Sequence, residues 1–114
     1  MAVLNVQAPS RTGGAFPVLG AAAGGGDSFA NNGSTYFIVN NASGGPIDVT
    51  FDSPNACNFG VTGAVHDLVV EDIPTGERWE IGPFDQSRFN DPTTQRVGVS
   101  YSGVTGVTVA AVRR

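Results

Sequence analysis

Apolar and polar residues alternate along most of the chain after residue 34, with the two-residue period of half-buried β-strands. The clearest run is 47–52, where Ile47, Val49 and Phe51 face one side and polar residues face the other. Residues 34–40 are instead apolar on both faces, which indicates a strand at the centre of a sheet. The pattern predicts six strands after the N-terminal third of the chain: 34–40, 47–52, 67–72, 77–81, 97–101 and 107–111.

Turn-forming residues separate these strands. Residues 41–46 and 74–76 are rich in Gly, Pro and Asn, and Gly82-Pro83 ends the fourth strand because proline cannot donate to a ladder. In that strand the alternation places Trp79 and Ile81 inward. Residues 53–64 are predicted to be a loop and 84–96 a long connection. The expected fold is all-β, a small antiparallel β-sandwich or barrel.

The first 33 residues follow a different pattern. They are rich in Gly, Ala and Asn, with flexible points at Gly13-Gly14 and at residues 24–26. We therefore expect an extended, Gly/Ala-rich N-terminal arm over 1–33 and a β-domain over 34–114. Such an arm cannot form its own core, so it is either disordered or ordered on another surface. A short strand at 3–6 is possible, and non-local pairing allows the arm or the last strand to cross between subunits. Its apolar residues are Leu4, Val6, Phe16, Val18 and Leu19.

The amino-acid composition indicates whether and what the protein binds. A chain of 114 residues has room for one domain with a modest core. Only 14% of its residues are charged, against roughly 25% in typical domains, which favours a surface that faces a partner. The net charge of −4 argues against non-specific nucleic-acid binding, since the only basic cluster is Arg113-Arg114. No stretch resembles a signal peptide or membrane span, so we expect synthesis in the cytoplasm and no membrane partner.

Acid–base or thiol chemistry has little support in the sequence. His66-Asp67 could belong to a catalytic triad, but no nucleophile motif surrounds any Ser or Thr, so we expect a solvent-exposed strand-edge histidine. Cys57 is the sole cysteine, which excludes an internal disulfide and a Cys-based zinc site. We expect it to be a small, buried or half-buried residue, and we expect a protein that is not an enzyme.

Cofactor and metal motifs are equally weak. Glu71-Asp72 with Glu77 and Glu80 could bind a cation, but the spacing does not match an EF-hand loop. A solvated turn face is the expected alternative. The glycine-rich run 20–26 lacks the following Lys-Ser/Thr of a phosphate-binding loop. The sequence therefore predicts no catalytic residue, no metal and no cofactor.

One loop motif admits two interpretations. Arg88 is flanked by Phe84 and Phe89 and lies near Asp85 and Asp91 in sequence. An arginine between aromatics and carboxylates is typical of an interface anchor. It is equally typical of a local clamp that fixes its own loop.

Several short motifs resemble a known family. They are Gly-Asp-Ser-Phe-Ala-Asn-Asn-Gly at 26–33, Tyr-Phe-Ile-Val-Asn-Asn at 36–41, Gly-Glu-Arg at 76–78, Ile-Gly-Pro-Phe at 81–84, Ser-Arg-Phe-Asn-Asp at 87–91, and the segments 97–101 and 107–113. Across about residues 25–113 the chain is similar to small proteins encoded near the major capsid protein in tailed bacteriophages of actinobacteria and other high-GC hosts.

The resemblance implies a capsid decoration, or cement, protein on the outer surface of the head at capsomer junctions. Its implied partner is the major capsid protein, and a homo-trimer or other homo-oligomer is expected on the capsid. The expected contact residues to capsid or neighbouring subunit are Leu4, Val6, Phe16, Val18, Leu19, Phe84, Arg88 and Phe89.

Two other functions remain open. The chain could be a head–tail connector, a tail protein or a fibre-base protein. It could also be a non-enzymatic ligand- or glycan-binding β module, for which Tyr36, Trp79 and Tyr101 are candidate stacking residues.

Overall fold

The structure is a computed structural model, and it describes residues 2–9, 11–14, 16–53 and 67–113. The expectations for Cys57, for His66, for Arg114 and for the predicted loop beyond Ser53 concern residues outside these ranges. Within the described ranges the chain forms ten strands and one short helix. In chain order they are β1 (Ala2–Leu4), β2 (Val6–Gln7), β3 (Gly20–Ala21), β4 (Asp27–Ala30), β5 (Thr35–Asn41), β6 (Ile47–Phe51), β7 (Leu68–Ile73), β8 (Arg78–Ile81), α1 (Gln86–Phe89), β9 (Arg96–Tyr101) and β10 (Val107–Arg113).

The strands form a β-sandwich, as the alternation predicts. The first sheet has the order β1-β4-β9-β6-β7, and the second has the order β2-β10-β5-β8, with β3 also paired to β10. All pairs are antiparallel except β1 with β4 and β2 with β10. The six strands predicted after residue 34 correspond to β5 through β10.

The longest strands form the centre of the second sheet. β5 and β10 pair over seven residues, from Val107 opposite Asn41 to Arg113 opposite Thr35. β5 also pairs with β8, which confirms its predicted central position. Trp79 and Ile81 of β8 pack against the core, as the alternation predicts.

Phenylalanine side chains fill the space between the sheets. Phe29, Phe37, Phe51 and Phe84 are all at most 1% exposed. Their ring centroids lie 4.8–5.7 Å apart in consecutive contacts, in the offset, tilted and edge-on arrangements that aromatic pairs favour. Valines on β9 and β10 complete the core, since branched side chains pack well on a pleated surface.

The N-terminal 33 residues contribute strands to both sheets. β1 extends the first sheet through Leu4 opposite Phe29, and β2 extends the second through Val6 opposite Ala111. The predicted strand at 3–6 is thus two strands, which join different sheets on either side of Asn5. Phe29, on β4, lies at 0% exposure in the core.

The returning segment 16–19 lies over the outer face of the second sheet. Ile38, Ala110 and Val112 on that face are 4%, 2% and 0% exposed. The Gln7 amide fixes the segment: its Nε2 donates to the Val18 carbonyl at 2.8 Å and its Oε1 accepts from the Val18 N–H at 2.9 Å. The apolar positions on both faces of β5 are therefore explained by cover on both sides.

The connection between β8 and β9 contains a helix that the sequence pattern does not predict. α1 is four residues long and is capped by Asp85, whose carboxylate accepts from the Ser87 N–H at 3.1 Å. The turn places Phe84 before the helix and Phe89 at its end against the core, with their rings 5.4 Å apart. Two aromatics in a polar stretch thus become core residues.

Candidate functional site

A hollow of about 320 Å³ lies on the outer face of the first sheet, beside α1. β1, β4 and β9 supply its floor, the end of β6 supplies one wall and the α1–β9 loop supplies the other. It is lined by Val3, Ser28, Asp52, Phe89, Asp91, Thr94, Arg96 and Gly98. The lining combines carboxylate, guanidinium and hydroxyl groups with two apolar side chains, so it can bind small polar groups by hydrogen bonding.

Asp91 holds the loop wall of the hollow in place. Its carboxylate accepts from the N–H groups of Thr93 and Thr94 at 2.8 and 3.1 Å, and its backbone N–H donates to the Arg96 carbonyl at 2.9 Å. Gln95, which has a φ of 59°, donates its N–H to the Asp91 carbonyl at 2.8 Å. Asp91 therefore shapes the hollow through local hydrogen bonds.

Asp52 directly follows β6 and supplies a carboxylate to the wall of the hollow. Partial burial, together with the negative charge of Asp67, raises the pKa of Asp52 above its ordinary value. A Cβ at Gly98 would lie 2.8 Å from Asp52 Oδ2, so the glycine leaves room for this carboxylate. Asp67 is held by Ser53, whose N–H donates to its Oδ1 at 2.9 Å.

A pair of buried asparagines supports the hollow from below. Asn31 Nδ2 donates to Asn90 Oδ1 at 2.8 Å, and Asn90 Nδ2 donates to the Asn31 carbonyl at 2.9 Å. Asn31 Nδ2 also donates to the Phe84 carbonyl at 3.0 Å. The two residues are 6% and 5% exposed, and together they join the end of β4 to both ends of α1. The Asn-Asn and Phe-Asn-Asp motifs therefore have a structural role as turn clamps.

A second buried polar contact links the N-terminal segment to β9. Tyr101 donates its hydroxyl to Asp27 Oδ2 at 2.6 Å, and Asp27 is 1% exposed. The same oxygen accepts from the Ala23 N–H at 3.2 Å. Burial and the hydrogen bond to Asp27 raise the pKa of Tyr101 well above its ordinary value. The sequence offers no signal for this contact, because the two residues are 74 positions apart.

The eight expected contact residues differ in burial. Leu4 and Val6 are partly buried against the core, and Phe16 and Leu19 are half-buried near the second sheet. Phe84 and Phe89 are 1% and 5% exposed and pack in the core. Val18 is 63% exposed.

Arg88 is exposed at the surface of α1 and belongs to a local arrangement. Its guanidinium carbon lies 4.7 Å from the centroid of the Phe89 ring, within the range of a cation–π contact. This contact within one helical turn fits the loop-clamp interpretation of the motif, while the exposed guanidinium can still meet a partner.

The alternatives of metal binding and aromatic stacking can be compared with the described residues. No group of three or more His, Cys, Asp and Glu side chains among them could hold a metal ion. Glu77 Oε1 accepts from the indole N–H of Trp79 at 2.8 Å. The three aromatics proposed for stacking, Tyr36, Trp79 and Tyr101, are half-buried. Within the described part of the chain, no helix is long and apolar enough to cross a membrane.

Comparison of the chain with family models, with curated proteins and with solved structures gives no match.

Proposed function

We propose that the protein is a capsid decoration protein of a tailed bacteriophage, which binds the outside of the head at capsomer junctions and stabilises it. The main support for the proposal is the position of three exposed apolar side chains. Val3, Val18 and Val69 are 55%, 63% and 46% exposed, and two of them lie in the N-terminal segment. That segment is at the same time anchored in both sheets, so its exposed side chains are held in fixed positions.

A fixed apolar contact suits a protein that must bind a rigid lattice. Preorganised contact residues lose less conformational entropy on binding than residues of a disordered arm. The low charge content of 14% also leaves much of the surface without strongly hydrated groups. Because many copies meet many equivalent sites on one head, modest contacts per copy suffice when the copies are also linked to each other.

The residues proposed to contact the capsid are those whose side chains are exposed to solvent. Val18 and Arg88, both from the expected set, present their side chains to solvent. Val3, which is also exposed, lines the hollow on the first sheet. Phe84 and Phe89 lie in the core, and Leu4 and Val6 pack against it. We propose the major capsid protein as the partner.

The binding of two variants to phage heads tests the proposed contact residues, and one of the variants is a matched control. Val18→Asp places a charge at the proposed contact and should weaken binding to undecorated heads by about tenfold or more, since a buried unpaired charge is strongly unfavourable. Val69→Asp makes the same chemical change at an exposed valine on β7 and should bind like the original protein. Co-sedimentation with heads of the encoding phage measures both. Equal binding by the two variants would contradict the proposed contact.

The copy number per particle separates this proposal from its alternatives. Quantitative mass spectrometry of purified virions should give one copy per one to a few major capsid subunits. About a dozen copies per particle would instead favour a connector or tail protein. Absence from the particle would overturn the structural role and favour a ligand-binding module.

A further inference from the structure

Asn32 and Gly33 form the only Asn-Gly pair in the sequence. They lie in the short connection between β4 and β5, which carries the chain from the first sheet to the second, and both are exposed. Asparagine is a thermolabile residue, and a following glycine makes it more so. Because glycine has no side chain, its backbone nitrogen can attack the preceding side-chain amide without hindrance. The pair is therefore a place where the chain can modify itself.

The reaction needs only hydroxide and water. Hydroxide removes the proton of the Gly33 N–H, and the nitrogen then forms a bond to Cγ of Asn32. The bond from Cγ to Nδ2 breaks, and this nitrogen leaves as ammonia with a proton taken from water. Water opens the resulting cyclic imide at Cγ to give aspartate. Opening at the backbone carbonyl carbon of Asn32 gives isoaspartate instead, which carries Cγ in the main chain.

Hydrogen bonds hold both reacting groups in the folded chain. The Gly33 N–H donates to Asn31 Oδ1 at 3.0 Å. Asn32 Oδ1 accepts from the Ser34 N–H at 3.1 Å and from the Ser34 hydroxyl at 3.0 Å, which fixes the side-chain amide in a turn. Deprotonation of Gly33 breaks the first of these bonds, and rotation of the Asn32 side chain breaks the others. Both steps are therefore opposed in the folded state.

The acceptor of the Gly33 N–H is itself held in place. Asn31 is 6% exposed, and its Nδ2 donates to Asn90 Oδ1 at 2.8 Å and to the Phe84 carbonyl at 3.0 Å. The Asn31 amide cannot turn away from Gly33 without breaking the contacts that join β4 to α1. Opening of the Gly33 N–H thus costs more than one exposed hydrogen bond.

We propose that Asn32 is the principal site at which this chain deamidates, and that the fold slows the reaction through these turn hydrogen bonds. Aspartate at this position adds a negative charge beside Asp85, since Asn32 and Asp85 border the same surface depression. Isoaspartate lengthens the main chain in a connection whose ends are fixed by two sheets, so it should disturb the turn. The inference concerns the chain itself and does not rest on the capsid role.

A second turn of the same kind provides an internal control. Asn41 Oδ1 accepts from the Ser43 N–H at 3.0 Å and from the Ser43 hydroxyl at 2.6 Å. The residue between them is Ala42, whose methyl group hinders attack by its backbone nitrogen. The two turns share their hydrogen bonds and differ in the residue that follows the asparagine. Asn41 should therefore convert more slowly than Asn32 even in the unfolded chain.

The rates of conversion in the folded and the unfolded chain test the proposal. Purified protein is incubated at mildly alkaline pH, in buffer and in guanidinium chloride, and peptide mapping by mass spectrometry follows each asparagine over time. Asn32 should convert about tenfold or more slowly in the folded chain, because several hydrogen bonds must open first. Equal rates in the two states would overturn the protection. Conversion of Asn41 as fast as that of Asn32 in the unfolded chain would overturn the choice of site.

Two serine variants test the turn itself. Ser34→Ala removes one donor to Asn32 Oδ1, so it should accelerate conversion of Asn32 in the folded chain by about threefold and leave the rate in guanidinium chloride unchanged. Ser43→Ala makes the same change in the control turn and should leave the Asn32 rate unchanged. Circular dichroism checks that both variants are folded. A Ser34→Ala rate equal to or below that of the original protein would contradict the role of the turn. No heads are present, so each result leaves the capsid proposal to its own experiments.

Discussion

At the scale of single residues, buried polar side chains determine how the turns are held. Asn41 is 0% exposed, and its Nδ2 donates to the carbonyls of Gly45 and Ile73 at 3.0 and 2.8 Å. Its Oδ1 accepts from the Ser43 N–H at 3.0 Å. One amide thus closes the β5–β6 turn and ties it to the end of β7. Among the described residues, no buried side-chain nitrogen or oxygen lacks a hydrogen-bond partner. The asparagine-rich motifs are therefore requirements of this fold.

Tyr101 gives a prediction at the same scale. Burial and Asp27 raise the pKa of Tyr101 in the folded state, whereas it is about 10 in the unfolded chain. The folded state therefore keeps a proton that the unfolded state releases above about pH 10, and the free energy of unfolding falls as pH rises beyond that point. Tyr101→Phe should lower this free energy by about 1–3 kcal/mol at pH 7, because Asp27 loses a donor.

Urea unfolding between pH 7 and 11 measures both effects. The original protein should lose stability above about pH 10 more steeply than Tyr101→Phe, so the two curves should converge. Parallel curves across this range would show that the Tyr101 hydroxyl is not held by Asp27 in solution.

At the scale of elements, the connection between β9 and β10 depends on one glycine. Gly106 has a φ of +74°, and its carbonyl accepts from the Ala42 N–H at 2.9 Å. A Cβ at this position would lie 2.9 Å from the Ala42 carbonyl oxygen, which is backbone and cannot rotate away. The two turns that cap this end of the sandwich therefore approach each other only because residue 106 has no side chain.

Two alanine substitutions in this connection should differ clearly. Gly106→Ala should lower the free energy of unfolding by about 2 kcal/mol or more, from the left-handed backbone and the close approach together. Gly103→Ala meets no heavy atom within 4 Å and should change it by about 0.5 kcal/mol or less. Thermal and urea unfolding compare the pair. Equal effects would show that the turns do not contact each other as described.

The elements also show how far the sequence could predict the structure. β5 through β10 were predictable because each carries its own alternation or apolar run. β4 was not, since Asp27–Ala30 contains two buried polar residues whose partners are distant: Ser28 Oγ donates to the Ala2 carbonyl, and Asp27 accepts from Tyr101. Tertiary contacts decide such a strand, and local patterns cannot reveal them.

The candidate site was less predictable than the fold. The hollow combines Ser28 of β4, Gly98 of β9 and Asp52, which follows β6, and only the sheet order brings these residues together. The sequence places Phe84 and Phe89 beside Arg88 in a polar connection, where an interface anchor and a local loop clamp are equally consistent. The turn of α1 directs both rings into the core, which the sequence pattern does not predict.

At the scale of the whole molecule, the N-terminal segment pairs with strands of both sheets. β2 and β3 both lie along the edge of β10 that β5 leaves open, and β1 covers the edge of β4. Phe16 and Pro17 of the segment line one hollow with Ile38 on the outer face of the second sheet, and Gln7 pairs with Val112. Its removal would expose these side chains and open two sheet edges, so its contribution to stability is inseparable from any contribution to binding.

Deletion of residues 2–19 tests whether the N-terminal segment stabilises the sandwich. Exposure of Ile38 and Val112 alone should cost about 3 kcal/mol or more, since burial of each side chain contributes about 1.5–3 kcal/mol. Trp79 lies on β8 and packs against the core, so its fluorescence reports unfolding of the sandwich. The midpoint of urea unfolding followed by Trp79 fluorescence should fall markedly. Gln7→Ala, which removes only the two bonds to Val18, should lower it by a smaller amount. An unchanged midpoint in the deletion variant would instead show an independent arm.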